Sequence, residues 1–274
     1  MRHRGIGVAA RWRHPRDGTW PIAMTALLRA TDLHVAYGDE RALKGVDLEV
    51  VRGALIALIG PNGSGKTTLL RALVGTVPLE KGNVCIGGHD LAAAAHDAKT
   101  LMGFAVDPAS LPDLLTGREC LALFAGARDL SDIPTATLAL SDVLSLTDVL
   151  DRRIANYSLG MRQKLGILLG LLGEPPLLLL DEPFNGLDPR SALAFKQHLA
   201  SLVADRGVSV LLATHSLGLA ERYATRALLL IDGRLQRSWM ASELADLRER
   251  PGCSLEQAMA EACIGPNKKG DGGI

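Results

Sequence analysis

Apolar residues fall in two patterns along this chain. Over residues 27–37 and again over 46–51, apolar and polar positions alternate, the period of a strand with one buried face. Residues 54–59 instead run apolar without a break, as in a parallel strand buried on both faces. Residues 177–180, 208–213 and 227–231 repeat that second pattern, the last closed by an Asp232–Gly233 turn. Residues 82–86, followed by Gly87 and Gly88, predict a further strand and turn. Between these segments, residues 66–74 and 189–206 predict helices. Residues 109 to about 172 are largely helical in pattern and Leu-rich. Strands alternating with helices predict an α/β fold built on a mostly parallel sheet. The helical middle is too long for one crossover and predicts a helical subdomain at about 108–172.

Composition changes this picture in two places. Of 274 residues, 47% are hydrophobic and 22% charged, which suits a folded chain with a sizeable core. Thirty Lys and Arg balance thirty Asp and Glu, but unevenly: residues 1–23 hold a net +4 and the remainder a net −4. That first stretch carries Trp12 and Trp20, has no helical or strand period, and reads as a disordered basic extension. Two readings of it stand: an upstream start-site artefact, with the domain opening at Met24, or a basic arm on anionic lipid. The artefact is favoured, because no amphipathic period is present. The domain is then expected over 24–240, with a short helical extension and a frayed tail over 241–274.

Other classes are excluded. The longest apolar region, 165–180, is split by Glu174, Pro175 and Pro176, too short for a spanning helix of about 20 residues. Cys85, Cys120, Cys253 and Cys263 have no paired spacing and read as reduced thiols. The seven histidines show no zinc pattern. A balanced charge disfavours a nucleic-acid partner.

The chemistry begins where the unbroken strand 54–59 ends. Gly60, Gly65, Lys66 and Thr67 fit GxxxxGK(S/T), with Asn62, Gly63 and Ser64 between them. Glycines let backbone N–H groups converge on phosphate oxygens, and the following helix turns its positive end to the same place. Lys66 adds a charge for the β- and γ-phosphates. Thr67 offers a hydroxyl to Mg²⁺, and Thr68 can donate to the α-phosphate. Strand 177–180 ends in Asp181 and Glu182, at the edge where open α/β sheets bind ligands. Asp181 is expected to hold Mg²⁺. Glu182 is expected to act as general base on the attacking water.

Three further motifs narrow this nucleotide site. Ser158 and Gly160 open an apolar helix, Ser158 lying 23 residues before Asp181. Asn185, Gly186, Leu187 and Asp188 follow the acids. Thr214, His215 and Ser216 end a strand, His215 being 34 residues after Asp181. In this order the motifs resemble the nucleotide-binding subunit of ABC transporters over about residues 25–235. The resemblance implies a P-loop NTPase core, an N-terminal antiparallel β subdomain and a helical signature-motif subdomain. It implies that Tyr37 stacks on adenine, and that Ser158 and Gly160 cap the γ-phosphate of ATP held by the opposite subunit. It also implies Asp188 as the acid at a dimer interface and His215 as the switch that holds the γ-phosphate.

Plainer roles are available to some of these: a surface turn for Tyr37, a helix cap for Ser158, a core histidine for His215. Asp107 takes the place where the family carries Gln or Glu, a metal ligand; being shorter, it reaches Mg²⁺ only through water. The family also implies a homodimer or heterodimer of ATPase subunits around ATP and Mg²⁺. It implies a separate transmembrane permease docking near residues 107–120, at the inner face of the plasma membrane. Residues 254–259 resemble the C-terminal helix of exporter-type members. A soluble non-transport ABC-type ATPase and a catalytically weak regulatory subunit are the alternatives.

Overall fold

The computed structural model describes residues 26–250 and 254–264. The expected basic extension and frayed tail lie outside them. The described chain opens with a hairpin, β1 (Ala26–Tyr37) and β2 (Glu40–Val51), joined by the two residues Gly38 and Asp39. Then come β3 (Leu55–Ile59), α1 (Lys66–Leu73), β4 (Lys81–Ile86), β5 (His89–Asp90), α2 (Ala95–Thr100) and β6 (Met102–Phe104). The helical middle holds α3 (Gly117–Gly126), α4 (Thr135–Val143) and α5 (Leu159–Leu171), with short 3-10 turns between them. The second half alternates β7 (Leu177–Asp181), α6 (Pro189–Arg206), β8 (Ser209–Ala213), α7 (Leu217–Tyr223) and β9 (Arg226–Ile231). It closes with β10 (Arg234–Met240), α8 (Ala241–Glu249) and α9 (Leu255–Ile264).

The two apolar patterns become two sheets. The alternating strands form a four-stranded antiparallel sheet in the order β2-β1-β4-β5. The unbroken strands form the centre of a six-stranded sheet, β10-β9-β3-β8-β7-β6, parallel except for the β9–β10 hairpin. Strand periodicity sends neighbouring residues to opposite faces. Leu55, Ala57 and Ile59 of β3 therefore join the core under the helices, whereas Ile56 and Leu58 join the core toward the antiparallel sheet. Leu178 and Leu180 of β7 divide from Leu177 and Leu179 in the same way. Each such leucine withdrawn from water contributes about 1.5–3 kcal/mol, which is why apolar residues dominate these strands.

Sheet order places the chemistry. β8 lies between β3 and β7, so the turns after all three strands open on one edge. Glu182 N–H donates to Ala213 O at 2.9 Å, and Thr214 N–H donates to Leu58 O at 3.1 Å. These bonds tie the acid strand to the histidine strand, and the histidine strand to the one that feeds the phosphate loop. The pattern reading left α2, α7 and β10 unassigned, whereas α8 and α9 fall in the helical extension expected over 241–274, and β6 has only three residues.

Candidate active site

A cleft of about 350 Å³ opens at this carboxyl edge, lined by Tyr37, Asn62, Gly63, Gly65, Lys66, Thr67, Thr68, Asp181 and Glu182 among others. Its floor is the start of α1. Gly65 is the N-cap, with φ at +104°, and no side chain caps the helix or places an acid in its first turn. The N–H groups that a helix start leaves unpaired are thus open to an anion. A Cβ on Gly65 would stand 2.8 Å from Ala42 O, so the close passage of β2 and the backbone twist both demand glycine.

Lys66 is only 8% exposed. Its Nζ donates to Gly60 O at 2.8 Å and Pro61 O at 3.0 Å, which folds the loop around its own ammonium. Burial lowers its pKa, opposed by the nearby charges of Glu182 and Asp181. A buried cation facing two carboxylates is poised to gain from incoming phosphate oxygens.

The expected base and switch meet. His215 Nδ1 lies 2.9 Å from Glu182 Oε2, although the residues come from different strand ends. Glu182 holds a left-handed φ of +45°. A non-glycine residue there costs of order 1–3 kcal/mol, a strain typical of functional turns. Thr214 beneath is buried, and its Oγ1 accepts from Ser216 N–H at 3.0 Å, which shapes the turn that carries His215. Tyr37 is 51% exposed at the cleft rim, with its ring free to meet a ligand.

Other expected residues stand apart from the cleft lining. Ser158 caps α5, its hydroxyl accepting from Met161 N–H at 3.3 Å. A Cβ on Gly160 would fall 2.6 Å from Gly186 O, so this glycine lets the helix start touch the turn after Glu182. Asp188 caps α6 by accepting from Ser191 N–H at 2.9 Å, and it also takes Lys164 Nζ at 2.8 Å. The hydrogen bond from Lys164, then those from Ser191, hold its carboxyl well below the usual range. Asp107 Oδ1 accepts from Ala109 N–H at 2.9 Å and caps its own 3-10 turn. Asp107 is not among the lining residues.

Sequence reasoning missed several lining residues: Glu40, Arg41, Ala42, Asp232 and Gly233. Gly233 N–H donates to Ser64 O at 3.0 Å, and Lys44 N–H donates to Gly233 O at 2.9 Å. The β9–β10 turn thereby braces the phosphate loop against β2. The Asp-Gly pair signalled a turn, but only tertiary packing brings it to the cleft.

Likeness to known proteins decides the family. The sequence profile of the ABC transporter family matches residues 43–185. The ABC transporter ATP-binding protein YdbJ of Bacillus subtilis (strain 168) is 36% identical over 77% of this chain and 68% of its own. This chain belongs to the ABC transporter family. The daunorubicin resistance ATP-binding protein DrrA3 of Streptomyces coeruleorubidus is 36% identical over 82% of this chain and 71% of its own. A solved ATP-binding subunit of an ABC transporter superposes with a TM-score of 0.77 at 32% identity, covering 86% of this chain and 99% of that one. The fold expected from the motifs, a P-loop core with an added antiparallel sheet, is borne out. The chain is an ATP-binding subunit of the family and an ATPase. Among the described residues, no helix is long and apolar enough to cross a membrane.

Proposed function

We propose that two copies of this subunit, or this subunit and a related one, close around two ATP and drive a separate membrane permease, in the direction of export. The carrying observation is the convergence of Lys66, Glu182 and His215 on one sheet edge, with Glu182 and His215 in contact. Glu182 then accepts the proton of the attacking water. With ATP bound, the His215 ring N–H that faces Glu182 turns to donate to the γ-phosphate oxygens. Lys66 and the N–H groups of α1 bind the β- and γ-phosphates, Thr68 binds the α-phosphate, and Tyr37 stacks on the base. Catalysis is chiefly positioning and charge stabilisation.

Thr67 and Asp181 fit Mg²⁺, because a hydroxyl and a carboxylate are the hard oxygen ligands that this ion takes beside substrate phosphates. When bound, it neutralises phosphate charge. Asp107, occupied by its own turn, is at most a ligand through water.

Ser158, Gly160 and Asp188 serve the site of the other subunit. The helical subdomain carries the permease contact near residues 107–120, where Leu114 is largely exposed, at the inner face of the plasma membrane. Export is favoured by the likeness to a protein named for drug resistance and by the short C-terminal helix α9. No nucleic-acid partner is expected. The domain spans 24–240 with a C-terminal extension.

The test is phosphate release by the purified chain. Release is expected to need Mg²⁺, to stop with a chelator, and to fall by about 10²–10⁴ in Glu182→Gln. Turnover retained in Glu182→Gln removes the general-base assignment.

A further inference from the structure

The mouth of the cleft holds a cation that the roles above leave unused. Arg41 lies on β2 opposite Ala36 of β1, and it lines the cleft with Tyr37, Asn62 and Gly65. The lining is otherwise acidic: Glu40, Asp181, Glu182 and Asp232 stand against Arg41 and Lys66. That is a poor balance for a site whose ligand carries several negative charges.

The other cations nearby are already engaged. Lys44 Nζ pairs with Asp232, and Lys66 Nζ is held by two loop carbonyls. The Arg41 guanidinium makes no hydrogen bond or ion pair with any described residue. An uncommitted arginine on a convex surface is simply solvated. This one lines a concave anion site beside the phosphate loop, on a hairpin pinned to that loop through Lys44 N–H and Gly233.

We propose that Arg41 binds phosphate oxygens of ATP at the mouth of the cleft, so that affinity for the triphosphate depends on its charge. The guanidinium brings a positive charge to phosphate oxygens without rearrangement of a resident ion pair. This rests on reading the cleft as the ATP site, and the experiment separates the two.

Binding of ATP to the full chain is measured by calorimetry at low and high ionic strength, for the wild type, Lys66→Ala, Arg41→Gln and Arg41→Lys. Lys66→Ala tests the cleft: unchanged ATP binding there overturns the site itself. If that variant loses ATP, Arg41→Gln is expected to raise the Kd about tenfold at low salt. Its dependence on salt should be shallower than that of the wild type, and Arg41→Lys should recover most of the affinity. An unchanged Kd in Arg41→Gln overturns the proposal. So does an equal loss in Arg41→Lys, which would assign the side chain to planar stacking instead of charge. Arg41 is exposed, so thermal melting checks that each variant folds as the wild type does.

Discussion

Two helix starts in this chain are both read from the sequence as phosphate sites, and they differ in structure. α1 begins behind a glycine loop with no side chain over its first N–H groups and a buried lysine beside them. α5 begins at Ser158, whose hydroxyl already accepts from Met161 N–H, and the residue after it, Leu159, is exposed. The first is an anion site left open within its own cleft. The second is locally satisfied, and its remaining asset is the hydroxyl proton, which an accepting hydroxyl can still donate outward. One subunit thus carries an uncapped helix start within its own cleft and, away from it, a capped start whose hydroxyl can still donate outward. Gly160 against Gly186, and Lys164 against Asp188, join the second start to the turn that follows Asp181 and Glu182.

The comparison breaks most visibly in binding. Lys66→Ala is expected to weaken ATP binding to the subunit about a hundredfold, while Ser158→Ala changes it less than about twofold, as read by calorimetry at low protein concentration. Equal losses would mean that both helix starts serve one cleft. Next in size is Gly160→Ala. Its new Cβ meets Gly186 O, and chemical denaturation should show a loss of about 1–3 kcal/mol. Ser158→Ala removes a cap and should cost about 1 kcal/mol by the same measurement.

The smallest effect concerns pH. The carboxyl of Asp188 is depressed in the folded state, so its contribution is present in full above the ordinary carboxylate range. It is lost only as pH falls through the lower folded value. Melting temperatures of the wild type and Asp188→Asn should therefore stay apart at neutral and mildly acid pH and converge only in strong acid. Convergence already at pH 5 would contradict the Lys164–Asp188 pairing.

Much of this was legible because the strands that position the site are short, largely apolar runs, two of which end at glycine or acid. Residues 54–59 lead to the phosphate loop, 177–180 to Asp181 and Glu182, and 208–213 to His215, each read correctly to within a residue or two. The contact between Glu182 and His215 was not legible, because it depends on β8 lying between β3 and β7, and strand order is not written in any single segment. Arg41 and Asp232 were missed for the same reason: they reach the cleft through pairing of β2 with β1 and through the β9–β10 turn. β10 escaped notice because its residues are mostly exposed and polar, with Trp239 the fully buried anchor. Asp107 shows a different limit. Alignment with a family position says where a residue stands, but a short acid before Pro108 finds the backbone N–H of Ala109 close at hand.

On the proposed function, the outward helix start of one subunit completes the cleft of another. Light scattering on Glu182→Gln with saturating ATP and Mg²⁺ tests it most directly. A particle of twice the 29.1 kDa subunit mass is expected, returning to one subunit mass when ATP is withdrawn. A single-subunit mass with ATP bound, both for the chain alone and after mixing with a related ATPase subunit, excludes it.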